Sequence, residues 1–178
     1  VVIEHYIISS GLKKIIEGTE IAKNFCEIFA SEFVYDEYGV PYWPAVALNY
    51  TSKIQFLYRI NKGIFDVSDD KNLNDSMEER NRRIPFCNMI YIGDGLTDVP
   101  SMKVTRLNGG HSIGVYADEQ ENARKMMKAG RINFMAKADY TKDSELMRIV
   151  KRIVDMLAAE NDLMELSLSQ YDKSKENF

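Results

Sequence analysis

Residues 89–98 read MIYIGDGLTD, and this stretch decides the fold more than any other part of the chain. Its first four residues form a continuous apolar run of the length of a buried strand. The run ends in Gly93, Asp94 and Gly95. Glycines on both sides let the backbone turn sharply, so that the carboxylate between them can face a crevice. The stretch therefore predicts a buried strand that ends in an acidic turn.

A second carboxylate follows this turn, because Asp98 lies four residues after Asp94. If a helix begins between them, both side chains reach the same place. Two converging carboxylates suit Mg²⁺, which takes one or two protein carboxylates, several waters and a phosphate oxygen. A simpler interpretation makes Asp98 an acid in the first turn of a helix, where the helix dipole favours it. The residues alone leave both interpretations open.

A cluster of small polar residues, Ser9-Ser10-Gly11, follows the apolar run from His5 to Ile8. The hydroxyl of Ser9 can donate to a phosphate oxygen. The backbone N–H groups of Ser10 and Gly11 would lie at the start of a helix predicted from Leu12, where anions bind well. The simpler alternative is that Ser9 only caps this helix.

A lysine is expected near the start of another helix. Thr51 or Ser52 can cap a helix that runs to Lys62 and ends at Gly63. Lys53 would then lie where the helix dipole disfavours a cation. Such a position makes sense if the side chain points into a crevice toward a phosphate, although a solvated surface lysine is the simpler interpretation of any single lysine.

Strands and helices alternate along the chain, which predicts a three-layer α/β sandwich with a mainly parallel, Rossmann-like sheet. Partial alternation between Phe25 and Tyr42 predicts an inserted β-hairpin, with Pro41 and Pro44 on its edge strand. Ligands collect at the carboxyl ends of parallel strands, where both polar clusters are expected. Further elements are predicted at Ser112–Tyr116 and Asn133–Ala136 as strands, and at Glu119–Ala129 and Leu146–Leu157 as helices.

Length and composition predict one domain over residues 1–168, followed by a polar tail over residues 169–178. No window approaches the roughly 18 apolar residues of a membrane span, so no membrane partner is expected. A net charge of −4 argues against a nucleic-acid partner and leaves small phosphorylated substrates open. The two cysteines, Cys26 and Cys87, have no metal-type spacing and are expected to be free thiols in a reducing cytoplasm.

The chain carries three features in order: a serine after a strand (Ser9), a lysine at a helix start (Lys53) and the pattern Gly-Asp-Gly-x-x-Asp after a strand. Their order resembles that of motifs two to four of the haloacid-dehalogenase-like hydrolases. Within that superfamily the chain is most similar to the phosphoserine-phosphatase-like branch. The resemblance implies a Mg²⁺-dependent phosphatase that works through a phosphoaspartyl intermediate. It also implies that Ser9 binds a phosphoryl oxygen and that Lys53 neutralises charge on the phosphate and the nucleophile. Asp94 would bind Mg²⁺, and Asp98 would support the metal shell or orient Lys53.

Two departures from the family pattern bear on this expectation. Thr97 stands where many relatives of this branch carry asparagine, which affects the local substrate contacts. The first motif, Asp-x-Asp after an apolar strand, is absent. The nearest lookalike, Asp66-Val67-Ser68-Asp69-Asp70, lies in a polar excursion between motifs three and four, and we reject it as the nucleophile. The chain is therefore expected to lack a central N-terminal strand and a cap, and to be inactive without that segment.

Three other functions remain open at this stage. One is a non-catalytic binding or regulatory domain that keeps the fold without the nucleophile. Another is a phosphotransferase or mutase that uses the same phosphoaspartate and an alcohol acceptor. A dinucleotide-binding domain is the weakest, because the glycines lack the Gly-x-Gly-x-x-Gly pattern.

Overall fold

The protein has a mixed α/β fold with two three-stranded sheets, seen in a computed structural model that describes residues 2–176. The strands are β1 (Tyr6–Leu12), β2 (Glu27–Tyr35), β3 (Pro41–Val46), β4 (Ile90–Gly93), β5 (His111–Tyr116) and β6 (Phe134–Lys137). In the first sheet, of order β1-β2-β3, β2 runs parallel to β1 and antiparallel to β3. The second sheet, of order β4-β5-β6, is parallel throughout.

Six α-helices connect and cover these strands in the described part of the chain. They are α1 (Lys13–Glu17), α2 (Lys53–Lys62), α3 (Asp70–Asn74), α4 (Val99–Leu107), α5 (Glu121–Lys128) and α6 (Glu145–Glu176). A short 3-10 turn, Leu96–Asp98, lies between β4 and α4.

The sequence predicted one mainly parallel sheet that lacks a central strand, and the structure divides the strands between two sheets. The α/β class is confirmed. Within residues 2–176, no ladder of hydrogen bonds joins β1 to β4, so each of these strands keeps one unpaired edge. Apolar runs identify strands but not their partners, so the sequence did not show which strands would share a sheet.

One hydrophobic core contains side chains from elements of both sheets. The helix α2 contributes Phe56, Leu57 and Ile60 to it. Other buried members come from β2, β4, α4, α5 and the connecting segments: Phe29, Leu48, Phe86, Met89, Tyr91, Val99, Met102, Met126 and Ile132. Because α2 packs on both halves, its first residue is fixed relative to both sheets.

Side chains pack on both faces of the second sheet. Ile113 and Val115 of β5 belong to a second core cluster with residues of α6. Gly114 faces the other side, where an added Cβ would lie 2.7 Å from the side chain of Ile132. Successive residues of β5 therefore contribute to two different clusters.

Strand β1 is longer than the sequence predicted. It continues through Ser9, Ser10 and Gly11 to Leu12, although its register with β2 is irregular between Ile8 and Leu12. The helix α1 that follows has only five residues. Pairing with β2 is interrupted after Ile8 and resumes between Leu12 and Ser31, so Ser9–Gly11 form an irregular part of the strand and the expected end of β1 at Ile8 is wrong.

The predicted hairpin is confirmed as β2 and β3. Its turn is held by the carboxylate of Asp36, which accepts hydrogen bonds from the backbone N–H groups of Tyr38 (2.9 Å) and Val40 (2.8 Å). Gly39 supplies the left-handed backbone, with φ of 77°. The strand β3 contains both prolines and lies at the edge of its sheet, where a missing N–H is tolerated.

The C-terminal helix α6 extends well beyond its predicted apolar stripe. It has 32 residues and includes residues 169–176, which were predicted to be a frayed tail; residues 177 and 178 of that tail lie outside the described part. Leu163, Met164, Leu166 and Leu168 on its distal half are exposed. No helix within residues 2–176 combines the length and the apolar content that crossing a bilayer requires.

The end of α2 supplies a test of the fold. Gly63 has a φ of 75°, and a Cβ there would meet the side chain of Arg83 at 2.8 Å. We expect Gly63→Ala to lower the free energy of unfolding by about 1–2 kcal/mol, because alanine disfavours this backbone conformation. Chemical denaturation monitored by circular dichroism measures the change.

Gly18 is the matched control for this substitution. It also follows a helix, but its φ is −73° and the nearest atom to an added Cβ is 3.4 Å away. Gly18→Ala should change stability by less than about 0.5 kcal/mol. Equal losses in the two variants would contradict the left-handed conformation of Gly63.

Candidate functional site

The centre of the candidate site is a buried ion pair between Lys53 and Asp98. The Nζ atom of Lys53 lies 2.7 Å from Oδ1 of Asp98, and each residue is only 6% exposed. Lys53 is the first residue of α2, as the sequence predicted, and Asp98 ends the 3-10 turn after β4. Lys53 is therefore not a solvated surface lysine. The pair joins two elements that are 45 positions apart in the sequence.

A buried carboxylate needs several donors to offset the loss of water. Asp98 has three. Its Oδ1 accepts from Lys53 and from the hydroxyl of Tyr91 at 2.8 Å, and its Oδ2 accepts from the backbone N–H of Gly95 at 3.3 Å. Both oxygens are thus engaged, and the orientation of the carboxylate is fixed.

Tyr91 is a site residue that the sequence analysis missed. It lies in β4, two residues before Gly93, and its ring belongs to the shared core. Burial, and then the negative charge of Asp98, raise the pKa of Tyr91, so the phenol remains a neutral donor. One signal was present: a tyrosine inside an apolar strand needs a partner for its hydroxyl.

The glycines of the acidic turn make room for Asp98. A Cβ on Gly93 would lie 2.8 Å from both Cγ and Oδ2 of Asp98. Neither Gly93 nor Gly95 has a positive φ, so close approach rather than backbone conformation explains glycine at Gly93.

Asp94 differs from Asp98 in every respect that matters for a metal ion. It is exposed after the carboxyl end of β4, and it makes no hydrogen bond or ion pair with any described residue. Asp94 therefore fits Mg²⁺, which prefers an accessible carboxylate oxygen. Asp98, with both oxygens engaged, fits the orientation of Lys53 better. Within residues 2–176, no group of three or more histidine, cysteine, aspartate or glutamate side chains is arranged to hold a metal.

The serine cluster occupies the last part of β1 instead of a helix start. The Oγ atom of Ser9 accepts a hydrogen bond from the backbone N–H of Gly11 at 3.0 Å. The carbonyl of Ser10 accepts one from the hydroxyl of Ser31 at 3.2 Å. The expected pair of free N–H groups at a helix start is therefore not formed, because the strand continues. No hydrogen bond links Ser9 to Lys53 or Asp98 in the described part of the chain.

The rejected lookalike segment is tied to the later part of α2. Arg59 is fully buried and donates to the carbonyls of Asp66 (2.6 Å) and Val67 (2.9 Å) and to the carboxylate of Asp70 (2.9 Å). Hydrogen bonds from Ser68 hold the pKa of Asp66 below its usual value. Arg59 lies six residues after the site lysine, about 9 Å along the helix axis. These acids stabilise a loop away from the ion pair.

His111 also lies away from the site. It begins β5 opposite Ile90, whereas Asp94 follows Gly93 at the other end of the parallel ladder. Burial lowers the pKa of His111. Because His111 lies at the amino ends of the strands, we assign it no part in the candidate site.

Comparison with known proteins adds one relative. The chain is 30% identical over 162 residues to an uncharacterised protein of Borreliella burgdorferi (strain ATCC 35210), an alignment that covers 81% of this chain and 55% of that protein. The chain thus spans about half the length of this relative. No protein-family model matches the chain. No solved structure matches it either.

A double-mutant cycle tests the central ion pair. We expect Lys53→Met and Asp98→Asn each to lower the free energy of unfolding by about 3–5 kcal/mol, because each leaves a buried charge unpaired. The double variant should lose clearly less than the sum of the two, with a coupling energy above about 1 kcal/mol. Urea denaturation provides the four values.

Lys103→Met is the control, because Lys103 is exposed on α4. It should change stability by less than about 0.5 kcal/mol. Additive losses in the double variant would show that Lys53 and Asp98 do not interact.

Proposed function

We propose that the intact protein is a Mg²⁺-dependent phosphatase of the haloacid-dehalogenase-like superfamily that hydrolyses a small phosphorylated substrate in the cytoplasm. The observation that carries this proposal is the buried pair of Lys53 and Asp98, which follows the exposed carboxylate of Asp94 by four residues. A buried cation, a carboxylate that orients it and an accessible carboxylate after a strand are groups that phosphoryl transfer uses in addition to a nucleophile. Catalysis of this kind depends mainly on positioning and electrostatic stabilisation.

Lys53 is suited to a phosphoryl oxygen. Its ammonium has three N–H donors, and within residues 2–176 it makes one hydrogen bond, to Asp98. Two donors are left for a ligand. Burial strengthens the attraction between this cation and an anionic ligand, since the local dielectric constant is low.

Asp94 is the residue that would hold magnesium, together with waters and a phosphate oxygen. When bound, the ion neutralises charge on the phosphoryl oxygens. The Ser9 hydroxyl, which accepts from Gly11 and keeps its own proton to donate, would donate to another phosphoryl oxygen. The metal-binding role predicted for Asp98 and the phosphate-binding roles predicted for Ser10 and Gly11 remain predictions.

The proposed nucleophile is an aspartate from a segment outside these 178 residues. Its carboxylate oxygen would bond to phosphorus while the bond to the leaving oxygen breaks, and that oxygen would take a proton. Water would then cleave the resulting acyl phosphate, releasing inorganic phosphate and restoring the carboxylate.

The unpaired edges of β1 and β4 offer a position where the proposed segment could add a strand. Arg83, in the segment that leads into β4, donates to Glu4 (2.7 Å) and to the hydroxyl of Tyr6 (2.6 Å), which ties that segment to β1. Side chains of both strands also pack in the same core. One strand that pairs with both edges would join the two sheets into the single, mainly parallel sheet of the proposed fold. It would also cover edges that otherwise favour aggregation.

The test compares this chain with a longer product of the same gene that includes an Asp-x-Asp motif after an apolar strand. The longer product should hydrolyse an aryl phosphate with Mg²⁺ and lose this activity in EDTA. Asp94→Asn in that product should lower kcat at least about 100-fold through lost metal positioning. Phosphate release measured over time provides the rates.

The 178-residue chain alone is the control, and it should show no turnover above background. Robust Mg²⁺-dependent turnover by this chain would mean that the nucleophile lies within it, contrary to the proposal. Full activity of the longer product in metal-free buffer would exclude the magnesium mechanism. Folding and ligand binding without any turnover would favour a non-catalytic binding domain.

A further inference from the structure

The contact between Tyr91 and Asp98 goes beyond the motifs that define the proposed site. Both Tyr91 and Lys53 bond to the same oxygen, Oδ1 of Asp98, at 2.8 Å and 2.7 Å. The side chains of Lys53 and Asp98 are each 8% exposed, and Tyr91 is 9% exposed. The contacts of Asp98 with Lys53 and Tyr91 are therefore largely shielded from bulk water.

We propose that Tyr91 is a positioning residue, a phenol that fixes the Lys53–Asp98 pair so that the lysine ammonium keeps one direction. This inference rests on the proposed function for its catalytic consequence, but not for its structural content. Tyr91 touches neither a phosphate nor a metal in this arrangement. It acts through Asp98.

The geometry explains why a phenol is needed at this position. The backbone N–H of Gly95 holds Oδ2 of Asp98 with a long hydrogen bond of 3.3 Å, which alone restrains the carboxylate weakly. The Tyr91 hydroxyl is anchored on a core strand, so its bond to Oδ1 fixes the second oxygen firmly. With both oxygens held, the Asp98 carboxylate cannot rotate, and the Lys53 ammonium has one fixed acceptor.

The hydroxyl of Tyr91 is a neutral donor. Burial and the negative charge of Asp98 raise the pKa of Tyr91, so the hydroxyl keeps its proton at neutral pH. A histidine in this place would change its charge near neutral pH. The tyrosine therefore gives Asp98 a neutral donor that does not compete with Lys53 as a second cation.

Tyr91→Phe removes only the hydroxyl and keeps the ring in the core. In protein labelled with ¹⁵N-lysine, the ammonium signal of Lys53 should be visible in the wild type because burial slows proton exchange. We expect the Tyr91→Phe variant to broaden or lose this signal. In the active protein, kcat should fall about tenfold or more while KM changes by less than about threefold, because positioning acts in the transition state.

Tyr58→Phe is the matched control. Tyr58 lies on α2 and packs edge-on against Phe86, with ring centres 5.2 Å apart. Its hydroxyl has no hydrogen-bond partner within residues 2–176, so its removal should leave the Lys53 signal and the rate unchanged. An effect of equal size in both variants would overturn the proposal, since it would reflect general loosening of the core.

The NMR signal of the Lys53 ammonium tests the positioning role of Tyr91, whereas the rate of phosphate release tests the proposed function. Loss of the Lys53 signal in Tyr91→Phe, in a protein that shows no phosphatase activity at all, supports the positioning role and contradicts the phosphatase. An unchanged Lys53 signal overturns the positioning role whatever the activity. If the Tyr91→Phe variant does not fold, hydrogen exchange in the wild-type protein still tests the positioning role. A slowly exchanging hydroxyl proton assigned to Tyr91 supports the bond to Asp98, and rapid exchange of that proton with water contradicts it.

Discussion

The buried ion pair between Lys53 and Asp98 is the contact on which the rest of the site depends. At 2.7 Å it joins the start of α2 to the turn after β4. Removing two charges from water costs several kcal/mol, and the attraction between them offsets this cost only when further hydrogen bonds complete the geometry. The hydroxyl of Tyr91 and the N–H of Gly95 supply those bonds. The close approach at Gly93 gives the carboxylate its space.

The stability of the fold alone does not explain why a buried ion pair occupies this position. Well-packed apolar residues of similar size often stabilise a protein as well as a buried ion pair, or better. Its presence at a strand end, four residues after the exposed carboxylate of Asp94, is therefore better explained by function. A cation that is held by one acceptor and keeps two free donors is prepared for an anion. The two free donors of Lys53, together with the resemblance to haloacid-dehalogenase-like motifs, support the phosphatase proposal.

The sequence predicted the local elements well where short-range chemistry determines them. The terminal glycine of α2, the hairpin of β2 and β3 and the apolar run of β4 each depend on neighbouring residues, and the structure has all three. The predicted cap is wrong in detail: Ser52 precedes α2 but makes no capping hydrogen bond, and the side chain of Asn49 accepts from the backbone N–H groups of Thr51 and Ser52 instead. The position of Lys53 followed from the same local pattern.

Long-range partners were harder to predict. No local signal shows which strand edges pair, so the sequence did not show which strands share each sheet. Strand β1 continues past Ser9 because its pairing with β2 resumes at Leu12 after an irregular stretch, and α6 continues past its apolar stripe because nothing in residues 169–176 breaks a helix. Tyr91 was missed because its ring satisfies the apolar pattern of a strand, whereas its role depends on a hydroxyl that meets a residue seven positions later.

The most direct test of the central claim is a crystal structure of the protein with tungstate and Mg²⁺, in which the anomalous signal of tungsten locates the anion. The account predicts an anion oxygen within about 3 Å of Nζ of Lys53, the length of a hydrogen bond, with the contact to Asp98 retained. It also predicts density for the metal against the carboxylate of Asp94. Tungstate bound elsewhere, with Lys53 contacting Asp98 alone, would contradict the claim that this ion pair forms a phosphate site.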